Sequence, residues 1–308
     1  MENTELNVVT GAFGYTGRYI ASRLLAMGKK VKTITGRPGG PNPFGDRVSA
    51  APFNFENPKE LTRSLRGAAT LYVTYWVRFP HGEVTYDLAV ENTKILIKAA
   101  READIQRFVY ISITNASADS PLPYFRGKGL LEKAIIDSGL SYAIIRPTVI
   151  FGREDILISN IAWLLRRFPV FAVPGRGDYR LQPVFVEDVA ELAISAARED
   201  RNIIMDAAGP ETYTFDDLVR LIAETVGSKA RIVHIPPGQV LFISRQIGRM
   251  INDVVLTRDE VAGLMANLLV SRDAPTGEKT LSDWLKENSG SVGAEYASEL
   301  ARHYQRGR

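Results

Sequence analysis

The chain has 308 residues, 45% hydrophobic and 24% charged, with a formal net charge of +3. That is the composition of a globular protein with a large core, and the charge is too small to argue for a nucleic-acid partner. Cysteine is absent, which excludes disulfides, thiolate catalysis and cysteine-ligated metals. The opening MENTELN does not read as a signal peptide, and no apolar run approaches the ~18 residues of a membrane span. The expected setting is cytoplasmic.

In chain order, LNVVT (6–10) reads as a buried strand stopped by Gly11. YTGRYIASRLLAMG (15–28) has helical spacing at Ile20, Leu24 and Met27 and ends on Gly28. KVKTITG (30–36) is a second strand, followed by a Gly/Pro loop (37–45) and a third strand over 48–55. In NPKELTRSLRG (57–67), Asn57 caps a helix, Pro58 sits at its first position and Glu60 completes a capping-box pattern. Strand 69–76, helix 83–102, strand 107–113, helix 127–139 and strand 141–147 follow. Such alternation predicts βαβ units and a parallel sheet with helices on both faces. Later segments are less regular. Helices are expected over 157–168, 214–227 and 257–270, a strand running into a helix over 181–199, and a strand over 202–209.

The turn GAFGYTG carries three glycines at three-residue spacing between a strand and a helix. Gly11 lets the chain turn sharply, Gly14 lets the backbone approach a pyrophosphate, and Gly17 lets the helix pack close to the sheet. Phosphates then sit at a helix N-terminus, where free N–H groups and the dipole favour negative charge. The turn therefore predicts dinucleotide binding, with Phe13, Tyr15, Thr16 and Arg18 beside the ligand.

G-x-x-G-x-x-G in this chain order resembles the short-chain dehydrogenase/reductase superfamily, in its extended and atypical branches. The resemblance implies an α/β fold. A Rossmann-type doubly wound parallel sheet would occupy residues 1–150 and a smaller substrate-side α/β region 151–308. Strand two ends in TGRP, which places Arg37 where NADP sites carry a cation and NAD sites an acid, so NADP(H) is favoured over NAD(H). Asn54 stands where the family meets the adenine. YFRGK supplies the family's Tyr-x-x-x-Lys as Tyr124 and Lys128, the acid/base and its activator, which also binds the nicotinamide ribose. Ser112 or Thr114 would donate to the substrate oxygen, with Asn92 near the site. Ile145, Arg146, Pro147, Thr148 and Val149, in SGLSYAIIRPTVIFG, would line the pocket near the nicotinamide. VFVEDVAELA, with Asp188 as a helix cap, and MDAAGPETYTFDDL also match family segments. The atypical group, which includes the NADPH-binding accessory subunit of respiratory complex I, carries the nearest likeness.

One departure stands out. Tyr75 and Trp76 occupy the end of strand four, where many members carry a small turn. They would narrow the site or stack on a ring. Two main readings result. One is an NAD(P)-dependent oxidoreductase or epimerase-like enzyme moving hydride to or from a small carbonyl or alcohol. The other is a non-catalytic NAD(P)H-binding accessory or redox-sensing protein, with a redox-sensing transcriptional regulator as a weaker variant. His81, His234 and His303 are too scattered for a metal, and Glu187, Asp188 and Glu191 read as a helix start with a solvated face. The apolar, arginine-bearing stretch 239–256 reads first as a docking helix and second as a membrane-surface helix. The chain is expected to be a monomer or homodimer, the dimer forming through helices 83–102 and 127–139.

Overall fold

The fold is a computed structural model that describes residues 5–304. Its first elements are β1 (Leu6–Thr10), α1 (Tyr15–Ala26), β2 (Lys30–Thr35), β3 (Val48–Pro52), α2 (Pro58–Leu65), β4 (Ala68–Val73), α3 (Tyr86–Glu102), β5 (Arg107–Ile111), α4 (Pro123–Ile136) and β6 (Tyr142–Pro147). Next come β7 (Val149–Phe151), α5 (Leu157–Arg167), β8 (Val170–Pro174), β9 (Arg180–Leu181), β10 (Pro183–Phe185), α6 (Val186–Ala197) and β11 (Ile203–Ala207). The chain continues through β12 (Tyr213–Thr214), α7 (Phe215–Thr225), β13 (Arg231–Ile235), α8 (Pro237–Ile251), α9 (Arg258–Met265) and α10 (Leu281–Glu287).

Two compact units result. The first runs to Pro147 and takes in Val186–Ala207; the second holds Thr148–Phe185 and the chain from Ala208 on. The first unit is a seven-stranded sheet in the order β11-β6-β5-β4-β1-β2-β3. All its neighbours pair in parallel. Both faces are covered, as such a sheet requires. α1 packs on α6, while α2, α3 and α4 pack in succession. The strands are accordingly apolar throughout: Val8, Ile34, Leu71, Phe108 and Ile144 are fully buried in one core.

Helix ends follow local chemistry. α1 closes on Gly28 at φ +72°, with Lys29 N–H donating to the Leu24 carbonyl and Gly28 N–H to that of Leu25. This left-handed closure is the one glycine allows at low cost. Thr85 caps α3 by accepting from Leu88 N–H. α2 begins at Pro58 as expected, but the Asn57 side chain makes no cap bond and Glu60 pairs with Arg63 instead. Asp188 lies within the first turn of α6 rather than at its cap.

Two boundaries shift in ways that matter for the site. β4 stops at Val73, short of residue 76, because the buried Thr10 hydroxyl accepts from Thr74 N–H at 2.8 Å and Tyr75 N–H at 3.0 Å and draws the chain off the ladder. α4 starts at Pro123, four residues before Gly127, because proline at the first position suits a helix start. Tyr124 therefore lies inside its first turn.

The second unit has its own core of Phe151, Leu165, Val173, Leu218, Ile222, Trp284 and Leu285. β8 and β13 pair in parallel there; these two strands and α10 have no counterpart in the pattern read from sequence. α7 and α9 begin as expected. Thr214 accepts from Asp217 N–H, and Thr257 and Glu260 form a reciprocal capping box. Asp253, just past α8, accepts backbone N–H bonds from Glu299 and Leu300.

Candidate dinucleotide site

The strand order of the first unit reverses between β1 and β4, and ligands of such sheets bind outside the strand C-termini at that point. The glycine turn lies there. Gly11 has φ +63°, and its N–H donates to the Ile34 carbonyl at 2.8 Å. Gly14 N–H closes the turn onto the Gly11 carbonyl at 2.8 Å. Ala12 N–H is held by the buried Thr33 hydroxyl at 3.0 Å. A Cβ on Gly17 would collide with the Gly11 carbonyl, so only glycine lets α1 start this close to the strand. Gly14 is the N-cap of α1; it brings no side-chain oxygen, and the first turn holds no acid. A helix N-terminus of this kind favours an anion. This cradle fits a dinucleotide pyrophosphate.

Around it, Arg18 folds back to donate to the Phe13 carbonyl at 3.3 Å, and Tyr15 packs edge-on against Tyr19. Arg37 is exposed beyond β2. Asn54 adopts φ +48° past β3, between Phe53 and Phe55, whose rings stack 4.8 Å apart. Tyr75 leans on both of those rings, and its hydroxyl accepts from Asn92 Nδ2 at 3.0 Å. Burial raises the Tyr75 phenol above its usual range, and the Asn92 bond partly offsets this. The bulky end of strand four thus stacks on the protein's own rings.

α4 does bring Tyr124 and Lys128 onto one face, a turn apart. Lys128 is only 3% exposed. Its Nζ donates to the Ile111 carbonyl at 2.8 Å and lies 4.7 Å from the Trp76 ring centre and 4.8 Å from that of Tyr110. Burial lowers the ammonium to about 7, with the charge of Glu132 acting the other way. The ring faces of Trp76 and Tyr110 also favour the cation. Gly127 admits the Trp76 indole, because a Cβ there would meet the ring at 2.7 Å. Tyr124 meets Trp76 and Tyr86 edge-on at 5.8 and 6.0 Å. The buried Trp76 Nε1 and Tyr110 hydroxyl make no hydrogen bond among the described residues.

The two hydroxyls expected to face a substrate are engaged elsewhere. Ser112 Oγ donates to Glu132 Oε1 at 2.5 Å. Glu132, 4% exposed, is gripped on the other side by Arg146, from Nε at 3.0 Å and a terminal nitrogen at 2.5 Å. Thr114 Oγ1 donates to Asp206 Oδ2 at 2.8 Å. Pro147 ends β6. Thr148 opens the second unit, where its hydroxyl donates to the Gln182 carbonyl. Glu132, Asp206, Tyr110, Tyr86 and the Phe53–Phe55 pair were missed by sequence reasoning. Glu132 carried one available signal, a carboxylate inside the otherwise largely apolar run GLLEKAII of α4. Among the described residues no group of three or more His, Asp or Glu could hold a metal. His234 pairs with Asp216 at 2.8 Å, and the side chain of His303 lies outside those described.

A protein-family model described as NAD(P)H-binding matches residues 11–156. The first unit has a Rossmann fold and is similar to NAD(P)H-binding domains. The chain is 24% identical over 288 residues to the mitochondrial NADH dehydrogenase (ubiquinone) 1 alpha subcomplex subunit 9 of Arabidopsis thaliana, covering 86% of this chain and 71% of that one. It is 23% identical to the photosystem II assembly factor Ycf39 of Cyanidium caldarium, over 78% of each chain. Its fold is similar to that of the NADPH-dependent quinone oxidoreductase QOR2 of Escherichia coli, complexed with NADPH. That likeness has a TM-score of 0.70 and 20% identity, and covers 91% of this chain and 99% of that one. The short-chain dehydrogenase/reductase resemblance and the doubly wound fold expected from sequence are both borne out.

Proposed function

We propose that this chain is an NAD(P)H-binding accessory protein. The dinucleotide is held for structure or redox sensing, and a protein partner reads the loaded state. The glycine turn, with the N-terminus of α1, would hold the pyrophosphate. Arg37 and Arg18 would meet a 2′-phosphate, which favours NADP(H), and Asn54 would meet the adenine. The bound cofactor would supply hydride chemistry if a substrate reached it.

The observation that carries the accessory reading is the Ser112–Glu132–Arg146 chain beside the roofed Lys128. Turning the serine toward a substrate oxygen means breaking a charge-assisted bond worth about 1.5–3 kcal/mol. Freeing Lys128 for a ribose means displacing an indole. Two relatives named as a complex subunit and an assembly factor support the same reading. The pairing of Tyr124 with Lys128 on one helix face favours the second reading, an oxidoreductase.

NADPH and NADH titrations followed by a carbonyl and quinone reduction screen separate the two. The accessory reading expects saturable NADPH binding and no turnover that responds to Tyr124→Phe. Turnover that Tyr124→Phe abolishes, with binding intact, makes the chain an enzyme.

A further inference from the structure

α8, PGQVLFISRQIGRMI, contains two arginines and no carboxylate. It has two distinct faces. Val240, Ser244 and Gly248, four residues apart, point inward, and α8 packs along β8. Gly248 lies so close to the Asp253 carbonyl that no side chain fits, which fixes the rotation of the helix. The opposite face is apolar. Phe242 is 62% exposed and Met250 79%, the two most exposed large apolar side chains among the described residues, and Ile243 is also exposed.

At 100° per residue, Phe242, Ile243, Gln246 and Met250 occupy one outward arc, with Arg249 and Arg245 along its flank. Arg249 bonds Gln246 at 3.1 Å, and neither arginine has an ion pair among the described residues. We propose that this face of α8 is a membrane-surface anchor: Phe242, Ile243 and Met250 enter the acyl boundary of an anionic bilayer while Arg245 and Arg249 meet lipid phosphates.

Three features favour a lipid surface over other occupants. The apolar side chains project as a ridge, which fluid hydrocarbon accepts without a shaped pocket. The cations have no balancing acid on the helix, so a second copy seated on this face would set four arginines together. At 15 residues the helix is about 22 Å long, enough to lie in an interface, and no helix of the described chain is long and apolar enough to cross a membrane. The proposal goes beyond the dinucleotide reading and does not depend on it.

The test is co-sedimentation of the full chain with phosphatidylcholine vesicles and with phosphatidylcholine–phosphatidylglycerol vesicles. Binding to the anionic vesicles alone is expected. Arg245→Gln with Arg249→Gln should lower the partition coefficient roughly 30-fold, equivalent to about 1 kcal/mol for each arginine. Phe242→Ser with Met250→Ser should lower it at least tenfold, whereas Leu88→Ser, at an exposed apolar position on α3, should not. Phe242→Trp should gain blue-shifted emission on the anionic vesicles. These positions are exposed, and far-UV circular dichroism checks that each variant is folded. Three results overturn the proposal: no vesicle binding, binding that both double variants retain, or lipid-free self-association that they abolish. The last would make the face a contact between copies of this chain.

Discussion

Removing the Glu132 carboxylate tests the arrangement beside Lys128 most directly. Glu132→Ala deletes an acceptor for three charge-assisted bonds, from Ser112 Oγ and from two nitrogens of Arg146. It takes the carboxylate away from the guanidinium, whose side chain is 29% exposed. Breaking one side of a buried pair costs about 3–5 kcal/mol. At roughly 2–4 °C per kcal/mol for a unit of this size, the first unit should melt about 10 °C lower. Arg146→Met alone should cost as much, because it leaves a buried carboxylate without its cation. Glu132→Leu combined with Arg146→Met removes both charges at similar volume and should recover most of the loss. The assay is thermal and urea unfolding of the four proteins as a double-mutant cycle. A Glu132→Ala loss below about 1 kcal/mol, or a double variant no better than the worse single one, would refute the claim that this pair fixes Ser112.

Three further outcomes are expected. Arg37→Ala should weaken NADPH about tenfold and leave NADH nearly unchanged, since a charged hydrogen bond is worth about 1.5–3 kcal/mol; equal loss for both in fluorescence titration removes the case for NADP. Gly17→Ala should abolish dinucleotide binding and destabilise the first unit by about 1–3 kcal/mol, because the new methyl meets the Gly11 carbonyl; calorimetric binding of NADPH with ordinary affinity contradicts this. Two buried groups should bend the stability–pH curve in opposite senses. Lys128 titrates near 7 when folded and near 10.5 when exposed, so the unfolded chain binds more protons between those values and stability rises with pH there. Burial raises Asp155 from 3.8 to about 7, so the folded chain holds the extra proton and stability falls as pH rises through that window. Melting temperatures of Lys128→Met and Asp155→Asn should each lose one of these slopes, and unaltered slopes would contradict the assignments.

The glycine turn was legible because its determinants are local. Gly11, Gly14 and Gly17 act within one turn, and the strand and helix flanking them are set by neighbouring residues. The state of the tyrosine–lysine pair was not legible. Tyr124 and Lys128 could be found by spacing, but what holds them comes from β4, β5 and β6. Trp76 reaches Lys128 because Thr10 peels the chain off β4 early. Ser112 turns to Glu132 because Arg146, on the next strand, has already placed that carboxylate. Such pairings depend on register between strands far apart in sequence, which periodicity does not encode. β8, β13 and α10 escaped for a related reason: they are only five to seven residues long, too short for a period to show, and they are fixed by packing within the second unit.

The placement of β11 and α6 has a consequence for synthesis. β11 forms the edge beside β6, and α6 packs against α1, yet both come after the whole of Thr148–Phe185. As the chain leaves the ribosome, the nucleotide-binding sheet cannot close until residue 207 has emerged. Until then β6 presents a bare hydrogen-bonding edge, and one face of α1 has no cover. A fragment ending at Pro147 would keep every glycine of the phosphate turn and still lack what closes its sheet.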